Sequence, residues 1–309
     1  MPEFTHIPVL LKEVLAWLEP RDKGLYVDGT VGSGGHAEAI LKASSPTGKL
    51  YGCDRDGAAL EAAAARLAPY EGRYELRRGN FAELAGWIEH GCSNGVLLDL
   101  GVSSPQLDVG ERGFSVQQDG PLDMRMDRRQ TLTAAELVNT WSESELTRVF
   151  REFGEEPQAR RFARAIVEAR QRHRFERTGE LAAFIERLSP RHGKKRHPAT
   201  QVFQALRMTV NDEVSSLRSG LAAALSLLIP GGRLAVITFH SLEDRIVKEF
   251  GREKARDYTF EGEVDVPELR RPKAPEVKLL QRKAILPSDV EVEANPRARS
   301  AQLRVMEKL

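Results

Sequence analysis

Short apolar runs bounded by Gly, Asn and Asp recur through the first hundred residues, at Leu25–Asp28, Lys49–Cys53, Tyr74–Leu76 and Gly95–Leu100. Runs of this length with such boundaries predict strands. Between the second and third, Ala58–Leu67 is rich in alanine, which enters a helix at least entropic cost, and predicts a helix. Ahead of the first strand, Val9, Leu10, Val14 and Leu18 recur at helical spacing and predict a leading amphipathic helix. Strands alternating with helices predict βαβ units and a parallel sheet.

The pattern changes near Ser104. From Pro105 to about Asn211 the chain is polar, arginine-rich and helical in spacing, with helices expected over Ala134–Asn139, Glu143–Phe153, Pro157–Arg172 and Gly179–Leu188. A helix over Glu213–Ile229 and a turn at Pro230-Gly231-Gly232 lead back to a strand at Arg233–Phe239. Val277–Ala284 and Ala301–Met306 are expected to close the sheet as an antiparallel pair, and Pro267–Pro275 is expected to be a loop. The architecture expected is α/β: one discontinuous domain over 1–104 and 212–309, interrupted by a helical insertion over 105–211.

Charge adds to this division. The net charge is +1, yet Arg148–Val210 carries 15 Lys and Arg against 7 Asp and Glu, so the rest of the chain is acidic. A polyanion would be drawn to the middle of the chain; a solvated arginine-rich helical surface is the competing reading. No apolar run approaches the roughly 20 residues that span a bilayer, and Met1–Pro20 lacks the basic-then-apolar layout of a secretory signal. The chain is read as cytoplasmic, with no membrane partner. Its two cysteines, Cys53 and Cys92, stand in no metal-ligand spacing, so neither a disulfide framework nor a metal site is expected.

Candidate chemistry centres on Asp28-Gly29-Thr30-Val31-Gly32-Ser33-Gly34-Gly35-His36, which follows the first strand and opens a helix. Glycines there let the backbone approach a ligand and adopt positive φ. Asp28, Gly32 and Gly34 are present without the third glycine of the dinucleotide fingerprint. That spacing is similar to the first motif of S-adenosylmethionine methyltransferases, with Thr30 where many have glycine. Asp54, at the end of the second strand, is placed to accept both hydroxyls of a ribose, or simply to cap a helix. Phe81, after the third strand, is placed to flank an adenine, or to serve as an ordinary core residue.

Further stretches carry a more specific resemblance. They are His6-Ile7-Pro8-Val9-Leu10, the glycine loop, Leu98-Asp99-Leu100-Gly101-Val102-Ser103-Ser104, Asp119-Gly120-Pro121-Leu122-Asp123-Met124-Arg125-Met126-Asp127, and His197-Pro198-Ala199-Thr200 through Phe203-Gln204-Ala205-Leu206-Arg207. Phe239-His240-Ser241-Leu242-Glu243-Asp244-Arg245 and Asn295-Pro296-Arg297 with Arg299-Ser300-Ala301 complete the set. In that order, over nearly the whole chain, they resemble the bacterial family that methylates a cytosine N4 in the decoding region of 16S ribosomal RNA. The resemblance implies a Rossmann-like methyltransferase sheet and S-adenosyl-L-methionine as cofactor. It implies cofactor contacts at Gly34, Gly35, His36, Asp54, Phe81, Asp99 and Gln106. It also implies 16S ribosomal RNA, or the small ribosomal subunit, as partner, with the insertion recognising RNA. Oligomeric state stays open, a homodimer included.

No catalytic residue is assigned. Enzymes that methylate exocyclic amines often carry polar-Pro-Pro-aromatic after the fourth strand, and Ser104-Pro105-Gln106-Leu107 matches only in part. Cytosine N4 shares its lone pair with the ring, so acceptors for its N–H groups would assist transfer. Asp99 and the carbonyls of Ser103 and Ser104 are nearest by sequence. Arg191–Arg196 forms a compact basic stretch suited to phosphate, with Arg297 and Arg299 as possible helpers. Trp141 is open between base stacking and core packing, and His240 between catalysis and capping. A protein or small-molecule methyltransferase is the competing enzyme reading. A nonenzymatic RNA-binding protein and a nicotinamide enzyme fit the intact loop less well.

Overall fold

The computed structural model describes residues 8–191, 196–260 and 265–309. It divides into two compact units: the residues up to Gly101 with Ser215–Leu309, and Val102–Val214.

In the first unit, nine strands are described: β1 (Leu25–Asp28), β2 (Lys49–Asp54), β3 (Tyr74–Arg78), β4 (Ser93–Asp99), β5 (Leu228–Thr238), β6 (Tyr258–Phe260), β7 (Arg270–Pro272), β8 (Val277–Leu279) and β9 (Gln302–Lys308). Seven form one sheet in the order β3-β2-β1-β4-β5-β9-β8. The first five run parallel, while β9 is antiparallel to both β5 and β8. Val96, Leu97 and Leu98 are fully buried in succession. A continuous apolar run of this kind marks a strand covered on both faces. Strand order reverses between β1 and β4, and ligands of open α/β sheets collect outside the strand ends at such a point.

Two expectations are corrected. The helix after the insertion ends at Leu227, and β5 begins at Leu228 and runs through Pro230-Gly231-Gly232. Those residues lie at a register slip within the strand rather than ahead of it. Leu228 pairs with Ser93, and the register slips before Gly95 pairs with Arg233, with Gly231 at φ 79°. A slip of this kind absorbs residues that read as a turn in the sequence. The segment expected as a loop at Pro267–Pro275 contains a 3₁₀ turn at Pro267–Leu269 and then β7, which pairs antiparallel with β6. The closing antiparallel pair is present as β8 and β9. The leading helix spans Leu11–Leu18 and buries Val14 and Leu18.

The second unit has its own core. Helices span Ala134–Thr140, Glu143–Glu152, Ala159–Ala169, Thr178–Leu188 and Thr200–Val210. Leu146, Val149 and Phe150 on one helix occupy i, i+3 and i+4 positions, Ala159, Phe162, Ala163 and Ile166 on the next occupy i, i+3, i+4 and i+7, and all are buried in a shared cluster. Starts are set locally. Thr133 caps the first by accepting from the Glu136 amide, and Ser142 with Glu145 forms a capping box at the second.

Candidate cofactor site

Three carboxylates stand at the carboxyl ends of adjacent strands: Asp28 closing β1, Asp54 closing β2 and Asp99 closing β4. The loop after β1 links them. Asp28 Oδ1 accepts the Thr30 amide at 3.1 Å, and the Thr30 hydroxyl oxygen accepts the Asp99 amide at 2.6 Å. Asp54 accepts the Gly32 amide on one oxygen at 2.9 Å and the Asp56 amide on the other at 2.8 Å. A carboxylate has about four acceptor positions, so Asp54 keeps two for a ligand.

Burial sets the charge of this group. Asp28 is almost fully buried, and desolvation pushes its carboxyl up to about 7, with Asp99 and Asp54 adding repulsion and His36 opposing it. Burial raises Asp54 as well, against the two amides that favour its ionised form. His36 lies in the first turn of helix Gly35–Ala43, with Nε2 3.5 Å from Asp99 Oδ2. Both ring nitrogens of His36 and Oδ1 of Asp99 are buried without a hydrogen-bond partner among the described residues. Buried polar atoms are nearly always satisfied, and exceptions in native structures call for a ligand or other cause.

The glycines divide their work. Gly34 has φ 83°, and a β-carbon there would press on Ala63 of the neighbouring helix. One on Gly35 would collide with Pro8. Both therefore permit close packing, and Gly34 a turn as well. Gly32, with φ 52°, would meet only ordinary contact with the Thr30 carbonyl at its β-carbon, so its need is conformational. Phe81 opens the 3₁₀ turn Phe81–Gly86 after β3 and lies beside Gly29 and Gly220. Behind the loop, the buried Ser216 hydroxyl oxygen accepts from Asn80 at 2.8 Å and from Arg55 at 2.9 Å. No motif marked these partners; Arg55 and Asn80 simply adjoin Asp54 and Phe81 in the chain.

The first unit thus brings together Gly34, Gly35, His36, Asp54, Phe81 and Asp99. Gln106 belongs to the second unit, where it is buried in helix Ser104–Asp108 and accepts the Ser103 amide at 3.0 Å. The Ser103 carbonyl accepts from the Gln106 and Leu107 amides, so helix initiation already uses it. Other residues singled out from the sequence hold structure. Trp141 packs against the core of the helical unit. His240 caps helix Ser241–Lys254 and lies 2.9 Å from Glu243. Asp119 accepts from Arg177 and from the Gly179 amide, and Asp123 accepts from Arg125. His6, Ile7 and His192–Lys195 of the basic stretch lie outside the described residues. Arg148, Arg151, Arg160, Arg161 and Arg164 are exposed on the helical unit, some paired with Glu152, Glu143 and Glu168. Arg297 and Arg299 are also exposed.

The acids and unpaired atoms suit one kind of group. The acids of Asp54 and Asp99 at one loop, with Asp28 buried behind them, oppose a pyrophosphate and favour a ligand carrying fixed positive charge together with hydroxyls and an amino group. A methionine-linked adenosine sulfonium has all of these features.

Comparison with known proteins gives a full-length match. The family model described as the MraW methylase family aligns with residues 3–309. A protein named ribosomal RNA small subunit methyltransferase H, from Symbiobacterium thermophilum, is 51% identical over 99% of this chain and 97% of its own length. Proteins of the same name from Geobacter sulfurreducens and Heliobacterium modesticaldum are 51% and 48% identical, each over 99% of both chains.

Proposed function

Since the chain belongs to the MraW methylase family, we propose that it transfers a methyl group from S-adenosyl-L-methionine to the exocyclic N4 of a cytosine in 16S ribosomal RNA. The observation that carries the cofactor half is the set of Asp28, Asp54 and Asp99 around one glycine loop, with unsatisfied polar atoms on His36 and Asp99. The full-length likeness to proteins named for ribosomal RNA methylation carries the substrate half.

Asp54 holds the ribose through its two remaining acceptor positions, and Phe81 flanks the adenine. Asp99 and His36 take the amino-acid end, while Gly34 and Gly35 bring the backbone close. Gln106 is assigned to the same cofactor by resemblance alone. When bound, the sulfonium supplies a methyl carbon reactive enough for a weak nucleophile. The protein's task is then to hold N4 in line and accept its N–H groups. Asp99 is not assigned as a base, and the Ser103 carbonyl is committed to its helix. The helical unit, with its excess of arginine, recognises RNA through phosphate, and the basic stretch Arg191–Arg196 contributes. Among the described residues no helix is long and apolar enough to cross a membrane. The cytoplasm, where ribosomal RNA is found, is the proposed location. A homodimer remains one assembly to be tested by sedimentation.

The deciding experiment incubates the protein with methyl-labelled cofactor and either 16S ribosomal RNA or small ribosomal subunits, then digests the RNA to nucleosides. N4-methylcytidine is expected. Label in another nucleoside, or none with either substrate, would reject the proposal.

A further inference from the structure

Thr30 stands in the cofactor loop at a position where a glycine would give more freedom, and its hydroxyl takes over a rung of the sheet. Strands β1 and β4 are in parallel register from Tyr26–Gly95 to Asp28–Leu97. The ladder continues one step past β1, with the Gly29 amide donating to the Leu97 carbonyl at 2.9 Å. In a regular parallel ladder the next bond would run from the Asp99 amide to a main-chain carbonyl of the loop. That amide donates instead to the Thr30 hydroxyl oxygen, at 2.6 Å. On the other side of β4, the Leu100 amide donates to the Ile237 carbonyl at 2.9 Å. Leu100 is thus held by backbone, whereas Asp99 is held by a side chain.

Thr30 is in turn fixed by Asp28, whose Oδ1 accepts the Thr30 amide at 3.1 Å. A two-bond chain therefore runs from the buried end of β1 through one hydroxyl to the last residue of β4. Asp99 carries a buried unsatisfied oxygen and lies 3.5 Å from His36, so small movements of its backbone redirect the group that faces the ligand. A β-branched side chain has few χ1 choices, which suits threonine to this role better than serine.

We propose that Thr30 is a positioning residue: by accepting the Asp99 amide it sets the Asp99 carboxylate for the amino-acid end of the cofactor. This rests on the cofactor assignment above. Thr30→Val keeps the shape and removes the acceptor; Thr30→Ser keeps the acceptor. Binding of S-adenosylhomocysteine and of methylthioadenosine, which lacks the amino-acid end, is measured by calorimetry. Thr30→Val should weaken S-adenosylhomocysteine about tenfold and methylthioadenosine less than about twofold, and Thr30→Ser should stay within about threefold of the parent, as loss or retention of one hydrogen bond predicts. Hydrogen exchange read by NMR, without ligand, should show the Asp99 amide exposed in Thr30→Val and protected in Thr30→Ser, with Leu100 protected in both. Equal weakening of both ligands, a serine variant as poor as the valine one, or an unchanged Asp99 amide overturns the proposal. Should the parent protein bind neither ligand, the cofactor assignment fails and with it the ligand part of this role; the exchange data still judge the Thr30–Asp99 bond.

Discussion

The ring of Phe81 occupies the space that a β-carbon on Gly220 would need. Gly220 is buried inside helix Glu213–Leu227, where glycine costs about 1 kcal/mol relative to alanine. Close approach of the aromatic ring accounts for it. Gly220→Ala should therefore destabilise the protein by roughly 1–3 kcal/mol despite its better helix propensity, as overpacked cores do. It should also weaken cofactor binding, because the ring must shift. Adding Phe81→Leu should recover stability but not affinity. Urea denaturation and calorimetry on the single and double variants separate the two effects. Additive stabilities would show that the residues do not interact.

Asp54 serves the loop and the ligand at once. Its oxygens hold the Gly32 and Asp56 amides, so Asp54→Ala should lower stability as well as cofactor affinity. The affinity loss is expected at about 1–3 kcal/mol if two ribose hydroxyls lose their acceptor. Asp54→Asn retains one acceptor oxygen and should fall between. A folded alanine variant that binds the cofactor as tightly as the parent would remove Asp54 from the site.

Much of this arrangement could be read from residue order, and what could not has a physical reason. The runs read as the first, second and fourth strands are short and apolar, with Asp28 ending the first, Asp54 just after the second and Asp99 next to last in the fourth, so all three were visible near strand ends. The glycine loop announced positive φ at Gly32 and Gly34. The double duty of Thr30 was not visible, because it depends on which β4 amide faces β1. The pairing of Phe81 with Gly220 joins residues far apart in the chain, and a lone helix glycine carries no local sign of its partner. The run through Pro230-Gly231-Gly232 read as a turn because its residues favour one. Leu228 pairs with Ser93 and Arg233 with Gly95, so the intervening residues make their bend inside a strand, at a register slip, rather than between two elements. The Asp119–Asp127 stretch stood out only as part of the family resemblance, and much of its acidity locks the backbone of the helical unit.

Stability should depend on pH through Asp28. Its folded carboxyl titrates at about 7, against about 3.9 in an unfolded chain. The folded state therefore binds the proton more tightly. The stabilisation from protonated Asp28 is fully present below about pH 4 and is lost as pH rises through 7. Asp28→Asn is neutral throughout and can still accept the Thr30 amide. It should match the parent near pH 4 and exceed it by on the order of a few kcal/mol near pH 8. Urea midpoints across this range test the point; parallel curves for parent and variant would contradict it.

Phosphate recognition by the basic stretch predicts a salt effect. Reversing charge at Lys194, Lys195 and Arg196 should weaken RNA binding and flatten its dependence on salt, by up to about one unit of slope per lost phosphate contact. Cofactor affinity should be unchanged. An unaltered salt slope in a folded variant would place the RNA contacts elsewhere.

Transfer to N4 needs no covalent bond between protein and base, and the cysteines make the point testable. Methylation at carbon 5 of cytosine requires a nucleophile, usually a thiolate, to add to the ring and make that carbon reactive. Cys53 is buried in β2, its Sγ donates to the Gly79 carbonyl at 3.2 Å, and burial pushes its thiol up to about 12. Cys92 precedes β4 at the amino end of that strand, away from the carboxylates, and its thiol is also raised by burial. Both are therefore protonated near neutral pH and poor nucleophiles. An exocyclic amine reacts through its own lone pair and loses a proton, so acceptors and alignment suffice. The double variant Cys53→Ala with Cys92→Ser should keep most of its methyl-transfer activity. Some stability should be lost at Cys53, where a buried side chain is trimmed. Mass spectrometry of the digested RNA should show N4-methylcytidine for parent and variant alike. Recovery of 5-methylcytidine, or of a protein–RNA adduct through either cysteine, would overturn the direct-transfer mechanism.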